Sequence, residues 1–97
     1  LEKNHEKFNQ KAELLKNLAH PIRLCIIKGL LNKGQCNVSY MQNCLEIPQS
    51  TVSQHLQKLK SSGIIEGERK GLEINYRVVN EEVKRLIEVL FPEAKEE

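Results

Sequence analysis

The apolar residues of this chain recur at helical spacing as far as Leu59 and then, past Ser61-Ser62-Gly63, change to strict alternation. That switch of period restricts the fold more than any other feature. A pattern that buries one helical stripe cannot also lay one face on a sheet. Leu72, Ile74, Tyr76 and Val78 fall on one side of an extended run, with Glu73, Asn75 and Arg77 on the other. Ile64 and Ile65, continued by Glu66-Gly67-Glu68-Arg69, form a second run, and Lys70-Gly71 is a turn between them. Residues 64–78 therefore read as one β-hairpin with helical patterns on both sides. The expected fold is mainly α with a small β-hairpin (α+β), in the order ααααββα.

Each helical pattern carries its own start and stop. Residues 3–18 form the first helix, with Phe8, Ala12, Leu15 and Ala19 on one stripe and Leu14 and Leu18 beside it. Ala19-His20-Pro21 breaks it, since proline suits a first helical turn and disfavours helix in the residue before it. A second helix runs from Ile22 to about Leu31. Ile22, Cys25, Ile26, Ile27, Leu30 and Leu31 make it apolar on most sides, so it is expected at the centre. Gly34 after it can take a left-handed conformation. Asn37 is placed to cap a short third helix over 38–45, where Met41, Cys44 and Leu45 give the i, i+3, i+4 face. Ile47-Pro48 leads tightly into a fourth helix over 48–60. Asn80 caps the last, 81–91, where Val83, Leu86, Ile87 and Leu90 share a face that Val89 and Phe91 widen.

The fourth helix has two unlike faces. Val52, Leu56 and Leu59 form its apolar stripe, while Gln49, Ser50, Thr51, Ser53, Gln54 and Gln57 make the outer side polar and uncharged until Lys58. A merely solvated helix usually carries Glu and Lys there, because both are good helix formers. Amides and hydroxyls both donate and accept, as base edges in a DNA major groove require. Two helices joined by so short a link, the second polar outside, match a helix-turn-helix over 38–60. The hairpin at 64–78 is then a wing, and its cations Arg69, Lys70 and Arg77 are candidates for phosphate contact. The alternative is that they are solubilising charges on a sheet edge.

Net charge is only +2, but residues 80–97 carry −3 and residues 1–79 carry +5. That asymmetry suits a molecule with one side toward a polyanion. At 97 residues the chain suits one domain with a modest core, and with aromatics at 4% that core must be aliphatic. The spare apolar faces of the end helices, Phe8, Leu15 and Leu18 on the first and Val83, Leu86, Ile87 and Leu90 on the last, are expected to meet a second copy of the chain; the alternative is that both helices cap a monomeric core. A twofold dimer would set two recognition helices roughly 34–36 Å apart, one DNA turn.

No apolar run is long enough for a membrane, and nothing resembles a signal peptide. Three cysteines without a CxxC pair fit a reducing cytoplasm. Cys25, Cys36 and Cys44 leave open a thiol redox response; inert packing is the alternative. A direct Cys36–Cys44 bridge along one helix is too long unless that helix starts late. His55, beside Leu56, is expected to be a structural histidine rather than a ligand. No catalytic constellation or phosphate loop stands out, so neither an enzyme nor a cofactor is expected. The remaining rival to DNA binding is a winged-helix module used for protein contacts.

Leu18-Ala19-His20-Pro21-Ile22-Arg23-Leu24, then Ser50-Thr51-Val52-Ser53-Gln54-His55-Leu56, then Gly63-Ile64-Ile65 and the Gly71-to-Tyr76 hairpin together resemble the ArsR/SmtB family of winged-helix repressors over about residues 12–90. Pro48 to Leu56 and Gly71-Leu72-Glu73-Ile74 look like its PagR-type members, toxin-operon repressors of Gram-positive bacilli. The resemblance implies a homodimer that binds double-stranded DNA at an inverted-repeat operator and blocks polymerase. Many members release DNA on binding a metal. One familiar site uses a Cys-x-Cys pair, at positions held here by Asn37 and Ser39, and the other uses Asp and His on the last helix, where residues 80–91 have neither. No metal is therefore expected.

Overall fold

A computed structural model describes residues 5–92; residues 3 and 4 of the expected first helix, and the acidic stretch 93–97, lie outside them. The order is α1 (His5–Leu18), α2 (Pro21–Lys33), β1 (Cys36–Asn37), α3 (Val38–Leu45), α4 (Gln49–Ser61), β2 (Ile65–Lys70), β3 (Glu73–Val78) and α5 (Glu81–Leu90). β2 and β3 are the expected hairpin, with Lys70 opposite Glu73. The unforeseen element is β1. It pairs antiparallel with β3, Cys36 opposite Tyr76 and Asn37 opposite Asn75, giving a three-stranded sheet in the order β1-β3-β2. Two residues carry no period to read, yet they tie the start of α3 to the root of the wing.

The helix ends follow from local chemistry. The Nδ1 of His20 accepts from the Ile22 N–H at 3.1 Å, and Pro21 opens α2. Asn37 Oδ1 accepts from Tyr40 N at 2.8 Å to start α3, and Asn80 Oδ1 from Val83 N at 3.0 Å to start α5. Gly34, at φ 93°, ends α2 with its N–H on the Leu30 carbonyl. Gly71, at φ 66°, is the first of the two residues between β2 and β3, and Leu72 beside it has no positive φ. That is the pattern of a type II′ hairpin turn.

One aliphatic core holds these elements together. The α4 stripe of Val52, Leu56 and Leu59 is buried with Ile26, Ile27 and Leu30 of α2, Ile64 just before β2, Ile65 of β2, and Val83 and Ile87 of α5. Among the described residues no polar or charged residue is buried. Two expectations need correction. Leu72 lies outside the sheet face and is 99% exposed, because the turn consumes it instead of the strand. Leu18, Val83 and Ile87, expected between subunits, are buried in this chain's own core. On α1 it is Leu14 and Leu18 that pack inward, leaving Phe8, Ala12, Leu15 and Ala19 exposed.

The bend between α3 and α4 rests on Glu46, the only non-glycine with positive φ among the described residues (φ 58°, ψ 42°). Its N–H bonds the Gln42 carbonyl at 2.8 Å. An L-residue in this left-handed basin costs about 1–2 kcal/mol. Glu46→Gly is expected to raise the urea midpoint, for a gain in unfolding free energy of up to about 1 kcal/mol once the looser unfolded chain is counted. Glu46→Val should lower it, because a branched β-carbon fits that basin worst. Equal midpoints in the two variants would mean that the bend carries no strain.

Candidate nucleic-acid interface

The polar outer face of α4 is a consequence of how the helix is clamped. With Val52, Leu56 and Leu59 locked into the core, the residues between them must point away. Gln49, Ser50, Ser53, Gln54, Gln57 and Lys58 are exposed and Thr51 is half-buried. Pro48 precedes the helix and no side chain caps it, which leaves donors of the first turn to solvent or to an anion. Lys58 and Lys60 lie in the last turn, where cations suit the helix dipole.

The wing separates its three cations. Arg69 and Lys70 end β2, exposed beside the turn. Arg77 lies farther back, opposite Glu66, and its Nη2 pairs with the Glu66 carboxylate at 3.1 Å. Both side chains are more than half exposed, so this pair is worth under about 1 kcal/mol. Arg77 can exchange Glu66 for a phosphate, but it is not a tip residue. A Cβ on Gly67 would lie 2.8 Å from Ile74 Cγ2 and 2.9 Å from Tyr76 Cε1. The lack of a side chain there lets Ile74 and Tyr76 lie across the wing and stiffen it.

Behind the recognition face is a group that the sequence pattern does not reveal. Arg23 of α2 donates from Nε to His55 Nδ1 at 3.1 Å and from Nη1 to the Asn17 carbonyl at 3.1 Å. It thereby joins the end of α1 to the recognition helix. The His20 ring stands 4.5 Å from that of His55, centre to centre. His55 is thus hydrogen-bonded within the fold. Arg23, Gln54, His55, Gln57, Lys58 and Ser61 line one shallow groove on this side of α4. A lone arginine on a mostly apolar helix is the only trace of this link in the sequence.

His55 must be neutral at Nδ1 to accept from Arg23. Burial, then the neighbouring His20 and Arg23, hold its pKa below the ordinary histidine value. A folded-state pKa below the unfolded one contributes stability above about pH 6.5, which is lost as pH falls through the lowered value. Glu82, whose pKa is lowered by the Lys11 ammonium bonded to it, contributes in the same direction but only in the acid range of carboxylates. Melting temperature is therefore expected to fall between pH 7 and pH 5 in the wild type and to fall less in His55→Gln. Parallel curves for the two proteins would remove the Arg23–His55 bond from that role.

The end helices form a second surface. Lys11 of α1 bonds both carboxylate oxygens of Glu82 on α5, at 2.7 and 3.0 Å. Beside this pair runs a groove of about 440 Å³, with Leu14, Leu15, Leu86 and Val89 among its walls. Phe8 (53%), Leu15 (54%), Val89 (75%) and Leu90 (54%) are strongly exposed for apolar side chains. Phe91, by contrast, turns back toward α2, with the Lys28 ammonium 5.2 Å from its ring centre.

The residues do not fit the metal sites of the resembled family. Asn37 spends its carboxamide on capping α3 and on Glu73, and Ser39 is an exposed hydroxyl. Among the described residues no group of three or more His, Cys, Asp or Glu is placed to hold an ion. Cys25 and Cys44 are exposed and Cys36 is buried, all as free thiols. Among the described residues no helix is long and apolar enough to cross a membrane.

Comparison with known proteins agrees with this geometry. A family profile described as a helix-turn-helix domain matches residues 18–68. The transcriptional repressor PagR of Bacillus anthracis is 44% identical over 81 residues, covering 84% of this chain and 81% of that protein. Its crystal structure aligns with a TM-score of 0.81 and 40% identity over 90% of this chain and 99% of that one. The solution structure of a homodimeric winged helix-turn-helix DNA-binding domain from Mycobacterium bovis, described as a possible ArsR-family regulator, aligns with a TM-score of 0.80 at 32% identity. It covers 99% of this chain and 88% of that one.

Proposed function

The chain belongs to the ArsR/SmtB family of winged-helix transcriptional repressors, and from that premise we propose that it reads an inverted-repeat operator as a homodimer. The observation that carries this reading is the outer face of α4, polar, unpaired by charge and held rigidly by a stripe of three buried residues. Gln49, Ser50, Thr51, Ser53, Gln54 and Gln57 supply donors and acceptors for base edges. Lys58, Arg69 and Lys70 bind phosphates, and Arg77 joins them when it leaves Glu66. Phe8, Leu15, Leu86, Val89 and Leu90 meet their counterparts in the second copy. A repressor of this class acts where the chromosome is, in the cytoplasm.

The test is selection of duplexes from a random library, followed by mobility shift and light scattering. The reading expects a dimer on a site with twofold symmetry; a monomer indifferent to every duplex at low salt overturns it. The wing tip has a separate signature. Lys70→Ala is expected to weaken binding to selected and unrelated duplexes alike. It should flatten the plot of log affinity against log salt by roughly 2, one phosphate contact from each subunit. An unchanged slope would take Lys70 off the backbone.

A further inference from the structure

All three of the chain's cysteines line one cavity. It measures about 340 Å³, lies between α2 and α3, and has Leu30 and Met41 among its walls. Cys25 and Cys44 are exposed, whereas Cys36 is buried. The wall on α2 includes Gly29, where an added Cβ would meet nothing within 4 Å. A glycine inside a helix costs about 0.5–1 kcal/mol relative to alanine. Here neither a turn nor close packing calls for one, and its missing side chain leaves the cavity open. Tyr40 forms the opposite wall, with the Lys33 ammonium 4.7 Å from its ring centre.

The thiols are not gathered as metal ligands. An apolar chamber with soft nucleophiles at its edge suits a different ligand: a small apolar molecule that reacts with sulfur. We infer that this cavity is a covalent effector site for α,β-unsaturated carbonyl compounds, captured by Cys44, and that capture releases DNA. The Cys44 sulfur adds to the β-carbon and a carbon–sulfur bond forms. The π pair of the carbon–carbon double bond moves toward the carbonyl oxygen. The resulting enolate takes a proton at its α-carbon, and the thiol proton passes to solvent. The product is a thioether, and the sum of the step is an addition that consumes no oxidant.

The neighbours divide the labour. Tyr40 and Cys44 lie one turn apart on α3 and both line the cavity, so the phenol stands beside the reacting sulfur, and its interaction with Cys44 holds the phenol above its ordinary range. Burial pushes the Cys36 thiol up, so it stays protonated and serves as wall. Cys25 is the second accessible sulfur. The output runs through packing, since α2 and α3 both pack on α4. An adduct in the gap between α2 and α3 changes the angle at which α4 is held. This output rests on α4 being the DNA-reading helix; the capture step does not.

The experiment treats the full chain with trans-2-octenal and follows it by intact mass and peptide mapping, alongside mobility shift on a selected duplex. Labelling is expected at Cys44 first, with a rate that saturates in aldehyde, and with affinity for DNA falling about tenfold. Cys44→Ser should lose the fast label and keep its DNA affinity under aldehyde. Gly29→Leu fills the cavity with a good helix former, so it should fold and bind DNA while labelling about tenfold more slowly. Gly29→Ala should fold at least as stably as wild type and label at an intermediate rate. Equal, unsaturable labelling of the exposed cysteines, or a rate indifferent to Gly29→Leu, overturns the site. Labelling at Cys44 with unchanged DNA affinity overturns the coupling. Failure of the untreated protein to bind any duplex refutes the DNA reading instead, and the labelling rates still decide the site.

Discussion

A Leu15→Asp protein is expected to elute as a monomer, to lose about a hundredfold or more in affinity for a selected duplex, and to unfold close to the wild-type midpoint. The three outcomes belong together because α1 divides its work between two faces. Leu14 and Leu18 pack into the chain's own core, while Leu15 is 54% exposed. A carboxylate at Leu15 therefore stays hydrated in the isolated subunit. In the proposed dimer, twofold symmetry sets it twice into an apolar interface, where an unpaired charge costs several kcal/mol. Losing the dimer makes binding of the two half-sites independent, and the gain from linkage disappears. Leu18→Asp is the contrasting control, since Leu18 is 4% exposed and a charge there should unfold the subunit itself. A Leu15→Asp protein that remains dimeric would move the interface to another face.

That division between faces is one of several features that sequence pattern alone could not supply. Periodicity identifies α1 and α5 as amphipathic, but a wide apolar face does not say which edge of it meets the chain's own core. Pattern alone directs Leu18, Val83 and Ile87 toward a second copy, whereas the structure buries them in the chain's own core and leaves Phe8, Leu15 and Leu90 exposed. The parts that were legible are those with local causes. Asn37 and Asn80 cap the helices they were expected to cap, because a cap needs only an oxygen two or three residues away. The exposed polar face of α4 follows from three apolar residues at helical spacing, and the hairpin from alternation around Gly71. Features set by distant partners were not legible: β1 exists only because β3 lies beside it, Glu46 is bent by the docking of α3 against α4, and Arg23 finds His55 across the fold. Leu72 shows the limit of alternation, which runs on through a turn as readily as through a strand.

Gln54→Ala should produce the largest loss of sequence selectivity from any single exposed side chain. Gln54 lies one turn into α4, exposed, with its neighbours Val52 and Leu56 buried, so the helix cannot rotate to hide it. A carboxamide that makes two hydrogen bonds to one base discriminates by about 1–3 kcal/mol. In a twofold complex the same contact occurs at both half-sites, so the combined loss is about 2–6 kcal/mol, or roughly thirtyfold to twenty-thousandfold. Affinity for unrelated duplexes and the salt slope should both stay at the wild-type value, because no charge has been removed. Stability should change little, since an exposed glutamine replaced by alanine leaves no cavity and alanine favours helix. This pattern is the reverse of that expected for Lys70→Ala, where all duplexes weaken together and the slope changes. Comparing the two variants on one selected and one scrambled duplex, across a salt series, separates base reading from backbone binding. If Gln54→Ala weakens both duplexes equally, α4 grips the phosphates instead of the bases, and the operator must be recognised through its shape.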